Sequence, residues 1–164
     1  MAIPRRSLTE LDQNAAGAHF LIVEARYYDS IGAMLLAGAK AALERARASH
    51  ELVSVPGALE IPIAIEIATD QAKRAGAPFA GAVALGCVIR GETYHFEIVA
   101  AESARALMQL AVAHKLPLGN GILTVDTEAQ AEERADPDRG DKGGDAARAA
   151  VALHCLARRA GALS

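Results

Sequence analysis

The sequence predicts an α/β protein: a four-stranded parallel sheet with helices on both faces, a three-layer αβα sandwich. Three observations carry this. From His19 onward, short apolar runs alternate with longer segments of helical composition. The run Ala82–Ile89 is apolar without interruption, as expected of a strand covered on both faces. Aromatic residues make up only 4% of the chain and Trp is missing, so the core must be built from Ala, Val, Leu and Ile. Such small side chains suit helices lying close against a sheet.

His19–Val23 is the first predicted strand, followed by the polar stretch Glu24–Ser30. Ile31–Ala48 is rich in Ala and Leu, with Lys40, Glu44, Arg45 and Arg47 placed for a solvated helix face. Leu52–Val55 is the second strand, stopped by Pro56-Gly57. A helix over Leu59–Ala75 follows, in which Pro62 fits only the first turn, where its missing N–H costs nothing. Ala82–Ile89 is the third strand, and Gly91–Phe96 turns into a helix reaching His114, broken by Lys115-Leu116-Pro117. Gly121–Val125 is the fourth strand. Glu128–Arg134 is a short helix, Ala135–Gly144 a polar connection and Asp145–Arg159 the last helix.

The 164 residues form one domain, 19–164, preceded by an N-terminal tail over 1–18. An apolar fraction of 52% excludes a disordered chain, and 17 basic against 20 acidic residues disfavour a nucleic-acid-binding surface. Cys87 and Cys155 form no CxxC, which argues against a disulfide framework or a zinc knuckle and fits a reducing cytoplasm. No apolar run of signal-peptide or membrane-spanning length is expected, so no membrane partner is either.

Right-handed crossovers place every strand-to-helix loop at the carboxyl edge of a parallel sheet, where such folds bind ligands. That rule sorts the five histidines. His19, His50 and His114 belong to the opposite edge and His154 to the last helix; only His95 lies in a strand-to-helix segment. An imidazole titrates near neutral pH, so His95 is the candidate acid–base. Gly91-Glu92-Thr93 opens the same helix, whose first N–H groups lack internal partners and attract phosphate or carboxylate. An ordinary glycine turn capped by Thr93 reads equally from that spacing. Tyr27 or Tyr28 can stack on a flat ring, or cap the sheet edge. Glu60 can bind a hydroxyl-rich ligand, or favour the positive start of a helix. Arg134, Arg139 and Lys142 are either an anion-binding cluster or a solvated surface. Cys87 reads as a small buried hydrophobe rather than a nucleophile. No metal-ligand motif is present.

Two stretches, Val55–Pro62 and Leu85–Phe96 (LGCVIRGETYHF), with Gly121–Thr124, Gln130–Arg134 and Lys142-Gly143, closely resemble the lumazine synthase family. The resemblance runs in order from His19 to the last helix. It implies a flavodoxin-like fold. It also implies condensation of 5-amino-6-ribitylaminouracil with a dihydroxybutanone phosphate, with no metal or redox cofactor, as the penultimate step of riboflavin biosynthesis. By position, Tyr27 matches the aromatic that stacks on the pyrimidine, and Ala58, Leu59 and Glu60 match residues that hold the ribityl chain. Cys87 and Val88 match positions lining the pyrimidine site. Glu92 and Thr93 match the phosphate-binding helix start, Arg134 the phosphate-binding arginine and Lys142 a lysine at the pyrimidine end. The resemblance places the last basic groups on a neighbouring subunit, so it implies a homo-oligomer with the site at an interface and an N-terminal tail that pairs with a neighbour's sheet.

Two departures stand out. Asn120 replaces an aromatic wall, so it can hydrogen-bond the uracil but not stack on it. Asp136-Pro137-Asp138-Arg139-Gly140-Asp141 replaces the turn of shell-forming members, and Pro137 restricts the backbone there, which predicts a pentamer rather than a shell. The alternative function is a catalytically weak flavin- or lumazine-binding pentamer, a carrier or scaffold.

Overall fold

Alternation along the strands builds the two halves of the core. In the computed structural model, which describes residues 13–162, β1 (His19–Ala25) turns Phe20 and Ile22 to one face of the sheet and Leu21 and Val23 to the other. β3 (Gly81–Ile89) does the same with Val83 and Leu85 against Ala82 and Ala84. Every one of these side chains is buried, as a period of two requires when both faces are covered. β2 (Ser49–Val55) and β4 (Leu118–Val125) complete a parallel sheet of order β2-β1-β3-β4.

Helices α1 (Asp29–Arg45) and α5 (Lys142–Ala162) cover one face. Leu35, Leu43, Val151 and Cys155 meet Phe20 and Val83 there. Helices α2 (Ile61–Arg74) and α3 (His95–His114) cover the other, where Ile61, Ile65, Val99 and Leu107 meet Leu21 and Val23. The short α4 (Glu128–Ala135) starts at Thr127, whose Oγ1 accepts the Gln130 N–H at 3.2 Å, while Gln130 Oε1 accepts the Asp126 N–H at 2.8 Å. This reciprocal arrangement satisfies two donors left open at the helix start. Pro62 sits in the first turn of α2, as its chemistry demands.

The predicted architecture is the observed one; several boundaries move. β1 runs on through Glu24, which was expected to begin a loop, because its buried carboxylate has partners in Ser54 and Arg26. β2 starts at Ser49, three residues early, because an edge strand stays partly exposed and keeps polar residues. His50 accordingly lies inside β2, and His114 ends α3, both still away from the carboxyl edge. β4 starts at Leu118 and α5 at Lys142, each three residues early, through glycines that read as loop. A Cβ at Gly119 would lie 1.8 Å from the Ala146 carbonyl oxygen, and one at Gly143 would lie 2.0 Å from that of Leu35. Those glycines let α5 rest directly on β4 and α1.

Of the expected tail, residues 1–12 lie outside the described residues, while Ala15 is buried and its N–H donates to the Ala46 carbonyl at 2.9 Å. Among the described residues, no helix is long and apolar enough to cross a membrane.

Candidate active site

Strand order reverses at β1: the chain steps outward to β2, then back across β1 to β3 and β4. The loops that follow β1 and β3 therefore part in opposite directions, and a crevice opens at the carboxyl edge between them. A cavity of about 510 Å³ occupies it. Tyr27 lines it from the loop after β1, Ala58, Leu59 and Glu60 from the turn after β2, Cys87 and Val88 from the end of β3, and Thr93 and His95 from the start of α3.

Sequence left Tyr27 and Tyr28 equivalent; packing separates them. Both line the cavity, but Tyr28 is half-buried against the core, and its ring supports that of Tyr27 edge-on, with centroids 5.1 Å apart. Tyr27 is 75% exposed, a flat surface offered to the cavity. The strand end that leads into Tyr27 is tethered. Glu24, buried at the end of β1, accepts from Ser54 Oγ at 3.0 Å and from Arg26 Nη2 at 3.1 Å. Sequence reasoning missed this tether, although Glu24 continues the Phe20, Ile22 alternation.

His95 opens α3 and is exposed; its N–H donates to Thr93 Oγ1 at 3.4 Å, so Thr93 closes a local turn beneath the helix start. Arg90 holds that start in place. Its Nε donates to Asp126 Oδ1 at 2.8 Å beyond β4, its Nη1 donates to Glu97 in the first turn of α3, and its guanidinium lies 4.2 Å above the Phe96 ring. The hydrogen bond from Arg90 draws the Glu97 carboxyl below its ordinary range. Arg90 was also missed: an Arg beside a glycine gives no sign of what it will pair with. Cys87 is half-buried, and burial pushes its thiol up to about 11, so it stays neutral and un-nucleophilic near pH 7.

A second cavity, of about 370 Å³, opens along β4, the outer strand. It is lined by Asn120 on β4, Arg134 on α4, and Lys142 and Asp145 on α5. Asn120 Oδ1 accepts the Ile122 N–H at 2.9 Å, and Arg134 Nη1 donates to the Gln130 carbonyl at 3.0 Å. Arg139 is turned away to Asp136 at 3.0 Å and lines neither cavity. Among the described residues no group of three or more His, Cys, Asp or Glu is placed to hold a metal ion.

Residues 17–158 match the family of 6,7-dimethyl-8-ribityllumazine synthase. The chain belongs to that family. A relative of that name from Beijerinckia indica subsp. indica is 63% identical over 164 residues, covering 98% of this chain and 89% of its own length. A relative of the same name from Azorhizobium caulinodans is 59% identical over 159 residues, covering 97% and 98%. Rhodopseudomonas palustris supplies 6,7-dimethyl-8-ribityllumazine synthase 1, 58% identical over 159 residues with the same coverage. The parallel sheet between helices is thus the flavodoxin-like fold of the lumazine synthase family.

Within this family member, all but one of the site residues singled out from sequence fall into two groups. Tyr27, Ala58, Leu59, Glu60, Cys87, Val88, Thr93 and His95 converge on the first cavity; Asn120, Arg134 and Lys142 line the second. Glu92 is exposed in the loop between Gly91 and Thr93 and lines neither.

Proposed function

We propose that the chain is a transferase that condenses 5-amino-6-(D-ribitylamino)uracil with 3,4-dihydroxy-2-butanone 4-phosphate. The products are 6,7-dimethyl-8-ribityllumazine, phosphate and water, the penultimate step of riboflavin biosynthesis. One observation carries the reading: Tyr27, Glu60 and His95, from three different loops, meet in one cavity at the switch point of the sheet, in a chain of this family. Tyr27 stacks on the pyrimidine. Glu60 accepts hydrogen bonds from the ribityl hydroxyls, beside Ala58 and Leu59, and Cys87 and Val88 bound the ring. Glu92, Thr93 and the helix start, together with Arg134, hold the phosphate, while Asn120 and Lys142 meet the polar end of the uracil. The substrate amine attacks the ketone and water leaves as the C=N bond forms. Loss of a carbon-bound proton then accompanies rupture of the C–O bond to phosphate. His95 moves these protons, and the second nitrogen closes the ring with loss of water. The chemistry draws on the substrates and these side chains, with no cofactor assigned to it.

The same reading makes the working unit an assembly. One copy's first cavity holds the acid–base and the aromatic, and the cations of a second cavity come from its neighbour, in a ring of five. Unpartnered apolar side chains support an assembly: Ile63 and Ile67 on α2 and Met108 and Val112 on α3 are all at least half exposed. In the same reading the protein works in the cytoplasm, a reducing compartment in which the Cys87 thiol stays unbridged.

Lumazine absorbance in a mixture of the two substrates, read beside an enzyme-free control, tests the activity. His95→Ala should lower kcat by about 10²–10⁴-fold with assembly intact. A wild-type rate no greater than the control, or an unimpaired His95→Ala, would sink the proposal. Sedimentation should give a mass of five 17.0 kDa protomers; a megadalton particle or a monomer removes the ring.

A further inference from the structure

Lys142 opens α5, at the end where unpaired N–H groups form the positive pole of the helix. A cation is disfavoured there, so its placement needs a counter-charge. Lys142 Nζ donates to Asp145 Oδ2 at 3.0 Å. The other oxygen of that carboxylate, Oδ1, accepts from Arg148 Nη2 at 2.7 Å, and the same nitrogen donates to Asp141 Oδ2 at 2.9 Å. Asp145 is therefore shared, one oxygen to each cation.

Depth separates the two cations. The Arg148 side chain is 18% exposed and that of Asp141 21%, against 35% for Lys142. Lys142 and Asp145 line the second cavity; Arg148 and Asp141 do not, so neither meets a ligand there. Asp141 is a fixed anchor. Its φ of +46° is held by its N–H donating to the Asp136 carbonyl at 3.0 Å, and its Oδ1 accepts the Gly144 N–H at 3.3 Å. A Cβ at Gly38 would lie 2.3 Å from that Oδ1, so α1 leaves the carboxylate no room to shift toward it.

We infer that Arg148 is a positioning residue for Lys142: by occupying one oxygen of Asp145 from inside, it makes Asp145 hold the ammonium at the second cavity by a single bond. Without Arg148, both Asp145 oxygens turn to Lys142, which is neutralised and drawn off the cavity. The inference rests on the proposed reaction, in which Lys142 meets the uracil end of the substrate. Its signature lies in binding, because Lys142 holds the ground state and transition state alike.

Steady-state kinetics of the full chain, with the aminouracil varied at saturating butanone phosphate, test it. Arg148→Gln should raise KM roughly tenfold while kcat stays within about threefold and the sedimentation mass is unchanged. Arg148→Lys, which keeps the buried charge, should recover most of the loss. In a Lys142→Met background, Arg148→Gln should add nothing, because its effect passes through Lys142. An unmoved KM, or an equal penalty in both backgrounds, overturns the inference and leaves Arg148 a purely structural cation. Should Arg148→Gln fail to assemble, Arg148→Met, which keeps the apolar stem packed, goes through the same cycle and is read in the same way. Wild-type protein that forms no product removes the reaction and this inference together; wild-type turnover with an unmoved KM removes the inference alone.

Discussion

A methyl group added at Gly143 would be driven into the backbone of α1. The Cβ of Gly143→Ala would lie 2.0 Å from the Leu35 carbonyl oxygen, 2.7 Å from its carbon and 2.8 Å from its Cα. These are backbone atoms in mid-helix, so no rotamer change relieves the clash. To restore a contact of 3.4 Å from 2.0 Å, α5 must retreat by about 1.4 Å. Overpacking of this kind costs about 1–3 kcal/mol, and the retreat also forfeits dispersion along the helix pair. Alanine returns at most about 1 kcal/mol of helix propensity, less so in a first turn. The net loss is about 1–3 kcal/mol, which at a slope of about 2 kcal/mol/M lowers the urea midpoint by about 0.5–1.5 M. The measurement needs a fixed protein concentration, since the proposed assembly would contribute to apparent stability. The same retreat from α1 displaces Lys142, Asp145, Ala146 and Ala149, which line the second cavity, so KM for the aminouracil should rise as well. An unchanged midpoint together with an unchanged KM would refute the close seating of α5 on α1.

Three other outcomes follow from the first cavity and its supports. Iodoacetamide should label Cys87 sluggishly at pH 8 and faster only as pH approaches about 11, because burial raises the thiol; rapid labelling at pH 8 contradicts that burial. The folded-state value lies above the ordinary 9.0, so the neutral thiol's contribution to stability is whole below about pH 9 and lost as pH rises through 11. Glu24→Ala should destabilise by about 1–3 kcal/mol in urea and raise KM for the aminouracil, since it strips Ser54 and Arg26 of their partner at the strand end that leads into Tyr27. Arg90→Ala should lower kcat roughly tenfold by freeing the first turn of α3, with Arg90→Lys partly restoring it; a change confined to KM would show that Arg90 does not aim His95.

Legibility followed the physics of each signal. The strands and their parallel order could be read because apolar runs and their alternation are local, and because a βαβ crossover has one hand. His95 could be found because the carboxyl-edge rule needs only topology. Glu24 could not, since a carboxylate reads as loop until Ser54, thirty residues on, is seen beside it in register. Gly143 and Gly144 read as a flexible turn for the same reason. Their meaning lies in Leu35 and Asp141, contacts that no spacing along the chain announces. Arg148 is harder still. On a helix rich in alanine it looks like a solvated charge, and only its burial beside Asp141 and Asp145 shows otherwise.

The division between two cavities has a consequence for how the proposed chemistry is controlled. In the proposed reading, the first cavity with Tyr27, Glu60 and His95 can receive a neutral ring but lacks the cations that a phosphate ester needs close by. Arg134 and Lys142 lie in the second cavity of the same chain. Glu92 and the helix start of α3 supply backbone donors but no formal positive charge, and Arg90 is already committed to Asp126 and Glu97. In the proposed reading a lone copy can stack the ring on Tyr27 but lacks the partners of both the uracil's polar end and the phosphate. Head-to-tail packing, in which each copy's second cavity faces the next copy's first, corrects this for every copy at once only if the ring closes. In the proposed ring, proximity would bring both reactants and His95 together, an effect worth up to about 7–11 kcal/mol. Dilution below the assembly's dissociation constant should therefore abolish turnover before it unfolds the chain. Activity per protomer that stays constant while sedimentation shows monomers would place the whole reaction within one copy.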